Sequence, residues 1–301
     1  MTCYLLAMEN QAIAGVLPLV RLKSLLFGNY MVSMPFFNYG GFCADRPDIR
    51  AGLLHEAVRI ADAEGSSHVE LRETDRLDLG LPVKTSKVSM RLELPARAEL
   101  LWKSFSAKLR SQIRRPEKEG MTVRVGRADE LESFYRVFSI NMRDLGTPVY
   151  AKQFFANILD EFPESTWIHT VYAKSGEPVA AGFLVGFKDM LEIPWASSLR
   201  SYNQHSPNML LYWSVLSFAC EKGYRVFDFG RSTPGEGTFR FKEQWGAHPT
   251  QLHWHYWLRG GVKMPELNPK NAKYRTAIQL WRKLPLGITK VLGPAIVKNL
   301  P

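Results

Sequence analysis

The sequence predicts an α/β protein of the α+β kind, with two domains followed by a basic tail. Its 301 residues, 46% of them hydrophobic, are enough for substantial cores, and a single core seldom grows beyond roughly 250 to 300 residues. Stretches with the periodicity of strands alternate with stretches that have the periodicity of helices. We expect domains at residues 1–95 and 96–258, and the tail at 259–301.

The first domain opens with two predicted strands, at residues 4–7 and 13–18. The run 34–41 is apolar enough for a core, and its glycines favour a turn toward the cleft between the domains. Residues 85–95 have the pattern of a last strand that leaves the first domain. We therefore place the domain boundary near Pro95.

The second domain contains regular periodic segments that we read as helix, three strands and helix. They lie at 128–141, 167–173, 179–187, 190–196 and 207–222. Ser206 is the expected N-cap of the last helix, Pro207 lies in its first turn and Gly223 follows its end.

A short aromatic run at 224–229 has the character of a core strand, because Gly223 and Gly230 bound it. Its end would deliver Asp228 to a cleft. Two roles are open for this carboxylate: it is a general base, or it is a structural acid that anchors the glycine loop behind it.

Lys242 follows that loop and stands between Phe241 and Trp245. Gly235 and Gly237 carry no side chain and let the loop come close to a ligand. Partial desolvation would strengthen the attraction of Lys242 for an oxyanion or phosphate and would lower its pKa. The alternative is a solvated lysine beside packed aromatic rings.

A basic stripe lies on a predicted helix that Pro116 should kink or end. Its cations are Lys103, Lys108, Arg110, Arg114, Arg115 and Lys118. Such a stripe fits phosphate groups, and the alternative is a solvated helix face. The start of the helix at 207–222 is a second candidate anion site, with Arg200 and Asn208 beside it.

Several runs resemble the Fem-like (FemAB) peptidyltransferases, a family of GNAT-related N-acyltransferases. These runs occur in the family's order, at residues 104–115, 196–200, 207–211, 227–230 and 241–242. The run 227–230 is Phe-Asp-Phe-Gly, and 241–242 is Phe-Lys. Two further runs, Asn-Met-Arg-Asp-Leu-Gly-Thr-Pro at 141–148 and Trp-Arg-Lys-Leu-Pro at 281–285, resemble the branch associated with exosortase and PEP-CTERM systems.

The resemblance implies two GNAT-like domains. We expect the first to be truncated at its N-terminus relative to the family, either because the sequence starts inside a longer gene product or because this member has a reduced first domain. The resemblance also implies an acyltransferase that moves an aminoacyl or acyl group from aminoacyl-tRNA or acyl-CoA to an amine, in cell-envelope or exopolysaccharide-linked metabolism. We expect no tightly bound cofactor. The pyrophosphate pattern of GNAT enzymes (Arg or Gln, two residues, Gly, one residue, Gly or Ala) is absent, which argues against an ordinary acetyl-CoA enzyme.

The resemblance places catalysis on Lys242 and Phe241, to which the residue pattern adds Asp228. Lys242 would stabilise the oxyanion of the tetrahedral intermediate. Binding of the substrate or donor is expected at Arg200, Asn208, Ser198, Lys108, Arg110, Arg114 and Gly230.

The net charge of +10 is concentrated in the tail. Against Glu266 alone, the tail carries Arg259, Lys263, Lys270, Lys273, Arg275, Arg282, Lys283, Lys290 and Lys298. Interleaved apolar residues make it an amphipathic segment that would lie on an anionic membrane, contact RNA or pack on the body of the protein. The alternative function is therefore a non-catalytic module that binds RNA or an anionic membrane.

The three cysteines, Cys3, Cys43 and Cys220, lack the spacing of a metal site or a disulfide framework. A reducing compartment is the natural inference. The sequence shows neither the pattern of a signal peptide nor an apolar stretch of membrane-spanning length. We expect a cytoplasmic protein, with peripheral contact at the inner membrane face left open by the basic tail.

Overall fold

A computed structural model describes residues 1–25, 27–44, 46–265 and 272–300 of the chain. Glu266 and Lys270 of the predicted tail lie outside these ranges, and so does the side chain of Lys273. Within the ranges, the protein is a mixed α/β structure built on two sheets, as predicted.

Thirteen strands lie in the described part of the chain. They are β1 (Thr2–Glu9), β2 (Ala12–Ser24), β3 (Gly28–Val32), β4 (His68–Glu73), β5 (Val83–Lys84), β6 (Val88–Glu93), β7 (Thr122–Gly126), β8 (Thr166–Tyr172), β9 (Pro178–Phe187), β10 (Met190–Ser198), β11 (Val226–Ser232), β12 (His248–Gln251) and β13 (His253–Leu258).

Nine α-helices lie in the same ranges, with short 3₁₀ helices at Ala128–Glu130 and Arg200–His205. The α-helices are α1 (Pro47–Ala63), α2 (Ala98–Ser104), α3 (Ala107–Lys118), α4 (Leu131–Leu145), α5 (Lys152–Glu161), α6 (Pro207–Glu221), α7 (Gly237–Glu243), α8 (Ala272–Lys283) and α9 (Leu286–Val297).

The two sheets exchange strands. The first has the spatial order β1-β2-β3-β4-β13-β5, and the second has the order β12-β6-β11-β10-β9-β8-β7. The expectation that residues 85–95 complete the first domain's sheet is wrong, because β6 pairs antiparallel with β11 and β12 of the second sheet. In return, β13 pairs with β4 of the first sheet. The division into domains at 95 and 258 stays a prediction.

Helices cover both faces of the second sheet. On one face, α3 and α6 enclose a core that includes Ile113, Leu191 and Phe227. On the other, α4 and α5 enclose an aromatic core around Phe155 and Trp195. The first sheet has a smaller core against α1. Burial of apolar area at roughly 25 cal/mol per Å² makes these cores the main source of stability.

A bulge in β10 redirects the side chains of that strand. Leu191 and Ile193 face the α6 side of the sheet, but Trp195 belongs to the aromatic core on the opposite side. The pairing of β10 with β9 shifts register between Glu192 and Trp195, and a bulge of this kind re-aims the residues beside it. Glu192 therefore stands at the point where the strand changes face.

The described part of the tail packs on the body of the protein. Thr289 and Gly293 are buried, and the Nζ of Lys290 lies 5.2 Å from the ring centroid of Tyr135 on α4. The guanidinium of Arg282 donates to the carbonyl oxygen of Leu145 at 3.1 Å. In the described ranges, no helix is both long and apolar enough to cross a membrane. Contact of the tail with a membrane or RNA stays a prediction.

Gly146 makes this docking sensitive to one methyl group. It ends α4 with a φ of 79°, and a Cβ placed there would overlap the side chain of Ile278 on α8. Gly223 follows α6 with a φ of 81°, and nothing lies within 4 Å of a Cβ placed there. The two glycines share the same backbone strain and differ in what a methyl group would meet.

We expect Gly223→Ala to lower the free energy of unfolding by about 1 kcal/mol, the cost of a left-handed alanine. Gly146→Ala should cost at least about 1 kcal/mol more, because overpacking adds to the strain, and it should speed proteolysis of the tail. Guanidinium unfolding and timed proteolysis check both variants. Equal losses in the two would show that α8 does not depend on this contact.

Candidate active site

The candidate site lies where β10 and β11 separate. The two strands pair in parallel at only three positions, and the last pair is Glu192 with Asp228. Beyond it, β10 bulges and β11 shifts register against β6 between Asp228 and Arg231. The separation opens a gap in the sheet, and two carboxylates stand at its edge.

Asp228 is fully buried and accepts four hydrogen bonds. Its Oδ1 accepts from the hydroxyl of Ser89 at 2.6 Å and from the backbone N–H of Gly230 at 2.7 Å. Its Oδ2 accepts from the hydroxyl of Tyr39 at 3.0 Å and from Nε of Arg91 at 3.1 Å. With both oxygens engaged and Arg91 as counter-ion, this geometry favours the structural role over the role of general base.

Lys242 lies on α7, a short helix that the sequence analysis did not predict. The helix begins at Gly237 and turns the lysine back toward β11, where its Nζ donates to the carbonyl oxygens of Gly230 at 2.9 Å and Arg231 at 3.0 Å. Only 8% of the residue is exposed. Burial lowers the pKa of Lys242 to about 8, against the opposing attraction of Asp228. An ammonium group has three donors, so one remains for a substrate oxygen.

Glu192 is a site residue that the sequence interpretation missed. Its side chain is half-buried and accepts a hydrogen bond from the amide of Asn38 at 3.3 Å. Burial, together with the negative charge of Asp228, raises the pKa of Glu192 to about 8. The available signal was a lone carboxylate inside an otherwise apolar strand, between Leu191 and Ile193.

The run 34–41 joins the first sheet to this site, in keeping with its predicted turn toward the cleft. Asn38 and Tyr39 reach Glu192 and Asp228, while the indole N–H of Trp254 on β13 donates to the carbonyl oxygen of Asn38 at 3.1 Å. Burial and both carboxylates raise the pKa of Tyr39. Tyr39 therefore stays protonated, and its hydroxyl donates a hydrogen bond to Asp228.

Phe241 points away from Lys242 into the α6-side core. Its ring lies 5.0 Å from that of Tyr212 and 6.3 Å from that of Trp245. The structure thus brings together Asp228, Gly230 and Lys242 of the predicted residues. Phe241 anchors the helix that carries the lysine, and a role for it at the reacting carbonyl stays a prediction.

Among the described residues, no hydrogen bond or ion pair joins the predicted anion site at the start of α6 to this cluster. Arg200 is exposed in a 3₁₀ helix, Asn208 is half-buried in the first turn of α6, and Ser198 ends β10. Ser206 stands at the N-cap position but has a φ of 54° and makes no capping hydrogen bond through its side chain. The start of α6 therefore keeps the amides that a hydroxyl cap would have occupied.

The basic stripe was predicted on one helix but is divided between two: Lys103 lies on α2, and the other five cations lie on α3, which continues past Pro116 to Lys118. Lys108 and Arg114 are exposed, and the Arg114 guanidinium lies 5.1 Å from the ring centroid of Trp102. Arg110 donates to the carbonyl oxygen of Phe105 at 2.9 Å. Among the described residues, no hydrogen bond or ion pair joins these cations to the Lys242 cluster, and their predicted binding role stays a prediction. The same residues include no group of three or more His, Cys, Asp or Glu side chains placed to hold a metal ion.

The comparison with known families identifies the segment that holds this site. Residues 103–243 match the family model described as acetyltransferase (GNAT) domain. This segment includes α3, β10, β11 and all of α7. No curated protein matches the sequence.

Three solved structures share the fold at low sequence identity. FemX has a TM-score of 0.65 and 15% identity, with 94% of this chain and 90% of that chain covered. L-PGS from Bacillus licheniformis has a TM-score of 0.57 and 15% identity, with 89% and 85% covered. A tandem GNAT protein from the clavulanic acid biosynthesis pathway has a TM-score of 0.52 and 10% identity, with 88% and 85% covered. The predicted fold of two GNAT-like domains is confirmed.

Asp228→Asn tests the structural role of this carboxylate. The asparagine amide keeps one acceptor oxygen, but its NH2 group replaces the other oxygen and faces two groups that are themselves hydrogen-bond donors. Arg91 also loses its counter-ion. We expect the free energy of unfolding to fall by about 3 kcal/mol, the lower end for a broken buried pair because Arg91 is 27% exposed. Urea unfolding measures this loss.

The matched control is Asp189→Asn, at an exposed turn before β10, which should change the free energy by less than about 0.5 kcal/mol. If Asp228→Asn unfolds like the unchanged protein yet loses activity, Asp228 is a general base and the anchoring role is wrong.

Proposed function

We propose that this chain, which has a GNAT domain at residues 103–243 and shares its fold with FemX, is a Fem-like acyltransferase that transfers an aminoacyl or acyl group from aminoacyl-tRNA or acyl-CoA to an amine. The proposed setting is cell-envelope or exopolysaccharide-linked metabolism. The resemblance of residues 141–148 and 281–285 to the PEP-CTERM branch supports that setting. The fold it shares with FemX and L-PGS supports an aminoacyl donor, and the GNAT domain supports acyl-CoA.

One observation carries this proposal: an acid and a base of matched pKa meet where β10 and β11 separate. Glu192 and Lys242 both have a pKa of about 8, because burial disfavours the charged form of each. Groups that titrate near the working pH are the most effective in proton transfer. Asp228 accepts a hydrogen bond from the backbone N–H of Gly230, and the carbonyl oxygen of Gly230 accepts one from Lys242, so Asp228 helps to fix the position of the lysine.

In the proposed step, the neutral amine of the acceptor attacks the carbonyl carbon of the donor. A C–N bond forms, and the C–O bond to tRNA or the C–S bond to CoA breaks. Glu192 accepts the proton that the amine loses and returns it to the departing oxygen or sulfur. The donor and acceptor supply every other atom, so the protein contributes positioning, proton transfer and charge stabilisation.

Lys242 stabilises the negative charge that develops on the carbonyl oxygen. Its two hydrogen bonds to backbone carbonyl oxygens fix the ammonium group before the reaction. A donor that is already oriented in a site shielded from water stabilises an oxyanion without reorganisation. This preorganisation distinguishes Lys242 from an exposed lysine of the same charge.

Lys242→Ala should lower kcat about a hundredfold or more, the usual effect of removing one oxyanion donor. The measurement is acyl transfer with aminoacyl-tRNA and with acyl-CoA, side by side. Lys242→Met fills most of the lysine's volume without its charge, and it should show the same loss with a smaller effect on folding.

Arg240→Ala serves as the control for this pair, because Arg240 is an exposed cation on the same helix. It should leave kcat unchanged. Near-normal turnover in both Lys242 variants, with either donor, would exclude the proposed mechanism.

We expect a bell-shaped dependence of kcat/KM on pH with its maximum near 8. The rate rises as Glu192 loses its proton and can act as a base, and it falls as Lys242 loses the proton that makes it a cation. Glu192→Gln should lower the maximum of kcat/KM and remove the part of the rise at low pH that comes from deprotonation of Glu192. Measured with the same acceptor in both proteins, an acid limb of unchanged shape would rule out Glu192 as the base.

A further inference from the structure

Two guanidinium groups lie against the indole of Trp254 in the cleft between the sheets. The Arg72 guanidinium carbon lies 4.4 Å from the ring centroid, and that of Arg231 lies 5.0 Å from it. Arg72 belongs to β4, Trp254 to β13 and Arg231 to β11, so the cluster joins both sheets. Cation–π contacts of this kind hold a planar guanidinium in a fixed orientation.

The two arginines differ in their partners. Arg72 is buried, and its guanidinium donates to Glu70 at 2.7 Å and to the carbonyl oxygens of Met34 at 3.1 Å and Phe37 at 2.6 Å. Glu70 in turn accepts from the hydroxyl of Tyr256 at 2.7 Å. The charge of Glu70 is therefore committed to Arg72.

The Arg231 side chain is exposed, and it makes no hydrogen bond or ion pair with any residue that the structure describes. Solvent reaches it, yet enough protein surrounds it that burial and the charge of Arg72 lower its pKa. The five N–H donors of the guanidinium are thus oriented by Trp254 and left unused. A cation in this setting is stabilised by an anion that enters the cleft.

Arg231 is also tied to the proposed catalytic centre. Its own carbonyl oxygen accepts from Nζ of Lys242 at 3.0 Å, and it follows Asp228 by three positions on β11. A ligand held by Arg231 would therefore be bound from the strand position whose carbonyl oxygen fixes the ammonium group of Lys242. The site that holds the acceptor and the site of transfer share one strand.

We propose that Arg231 binds a carboxylate or phosphate group of the acceptor, so that the substrates of this protein are amines that carry an anion close to the reacting nitrogen. This inference rests on the proposed function. Both anions present the oxygen pairs that a guanidinium fork binds with two hydrogen bonds. Lys242 cannot replace Arg231 here, since two of its donors are committed to carbonyl oxygens.

Matched pairs of small amines test the proposal in the full chain. β-Alanine and propylamine differ by a carboxylate, and O-phosphoethanolamine and ethanolamine differ by a phosphate. Binding without donor is measured by calorimetry, and transfer is measured by kcat/KM with each donor. We expect the protein to prefer the anionic member of one pair, and Arg231→Gln to reduce that preference roughly tenfold to a hundredfold.

Arg225→Gln is the matched control, because Arg225 is an exposed arginine just before the same strand, roughly 20 Å from Arg231 along it. It should keep the full preference. Arg231→Lys retains the charge without the planar fork and should keep only part of the preference, which provides a second test if Arg231→Gln unfolds. The pair that responds shows whether the anion is a carboxylate or a phosphate.

The outcomes separate this inference from the proposed function. Anion preference in binding that Arg231→Gln abolishes supports the inference even where no acyl transfer follows, and only the proposed function then fails. Acyl transfer with equal kcat/KM for both members of each pair overturns the inference and leaves the proposed function standing. Preference that survives in Arg231→Gln also overturns it.

Discussion

The buried carboxylate of Asp228 is the interaction on which the site depends. Its four donors come from β6, from the run 34–41 and from Gly230, two positions further along β11. Burying an unpaired charge would cost several kcal/mol, so the fold retains it only because each oxygen is satisfied. The hydrogen bonds therefore fix three distant parts of the chain relative to one another, and the gap between β10 and β11 lies at their centre.

The charge of Asp228 also sets the balance between its neighbours. It raises the pKa of Glu192 and opposes the fall in the pKa of Lys242, so that both groups have a pKa of about 8. Without a fixed negative charge, burial alone would take the lysine lower and leave less of it as a cation. Arg91 offsets part of this effect from the other side. The same carboxylate thus orders the site and tunes it.

The sequence predicted the local elements well and their long-range pairing poorly. Strands β8, β9 and β10 and helix α6 lie within two residues of their expected bounds, because periodicity and end signals are local. The sheet that β6 joins depends on residues more than a hundred positions away, which alternation along one strand does not specify. The fold class itself was recoverable, since the resemblance extends across both domains.

The candidate site was predicted in part for the same reason. Asp228 and Lys242 stood out because each lies in a short run of distinctive aromatic and glycine residues. Gly235 and Gly237 favoured a loop, yet α7 begins at Gly237, because packing of Phe241 against Tyr212 outweighs a propensity cost of about 1 kcal/mol. Glu192 shows its role only when the bulge and its pairing with Asp228 are known.

The exchange of β6 and β13 explains how two sheets can form one precise cleft. Each sheet holds a strand from the other's half of the chain, so separation would break backbone ladders as well as side-chain contacts. The second sheet supplies Glu192 and Asp228, helix α7 supplies Lys242, and the first sheet supplies Arg72 and Trp254. Arg231 extends from the second sheet to an aromatic ring on the first. The proposed transfer chemistry and the proposed acceptor contact at Arg231 thus both belong to the second sheet and α7, and Trp254 of the first sheet orients Arg231. The crossed strands hold the two sheets together.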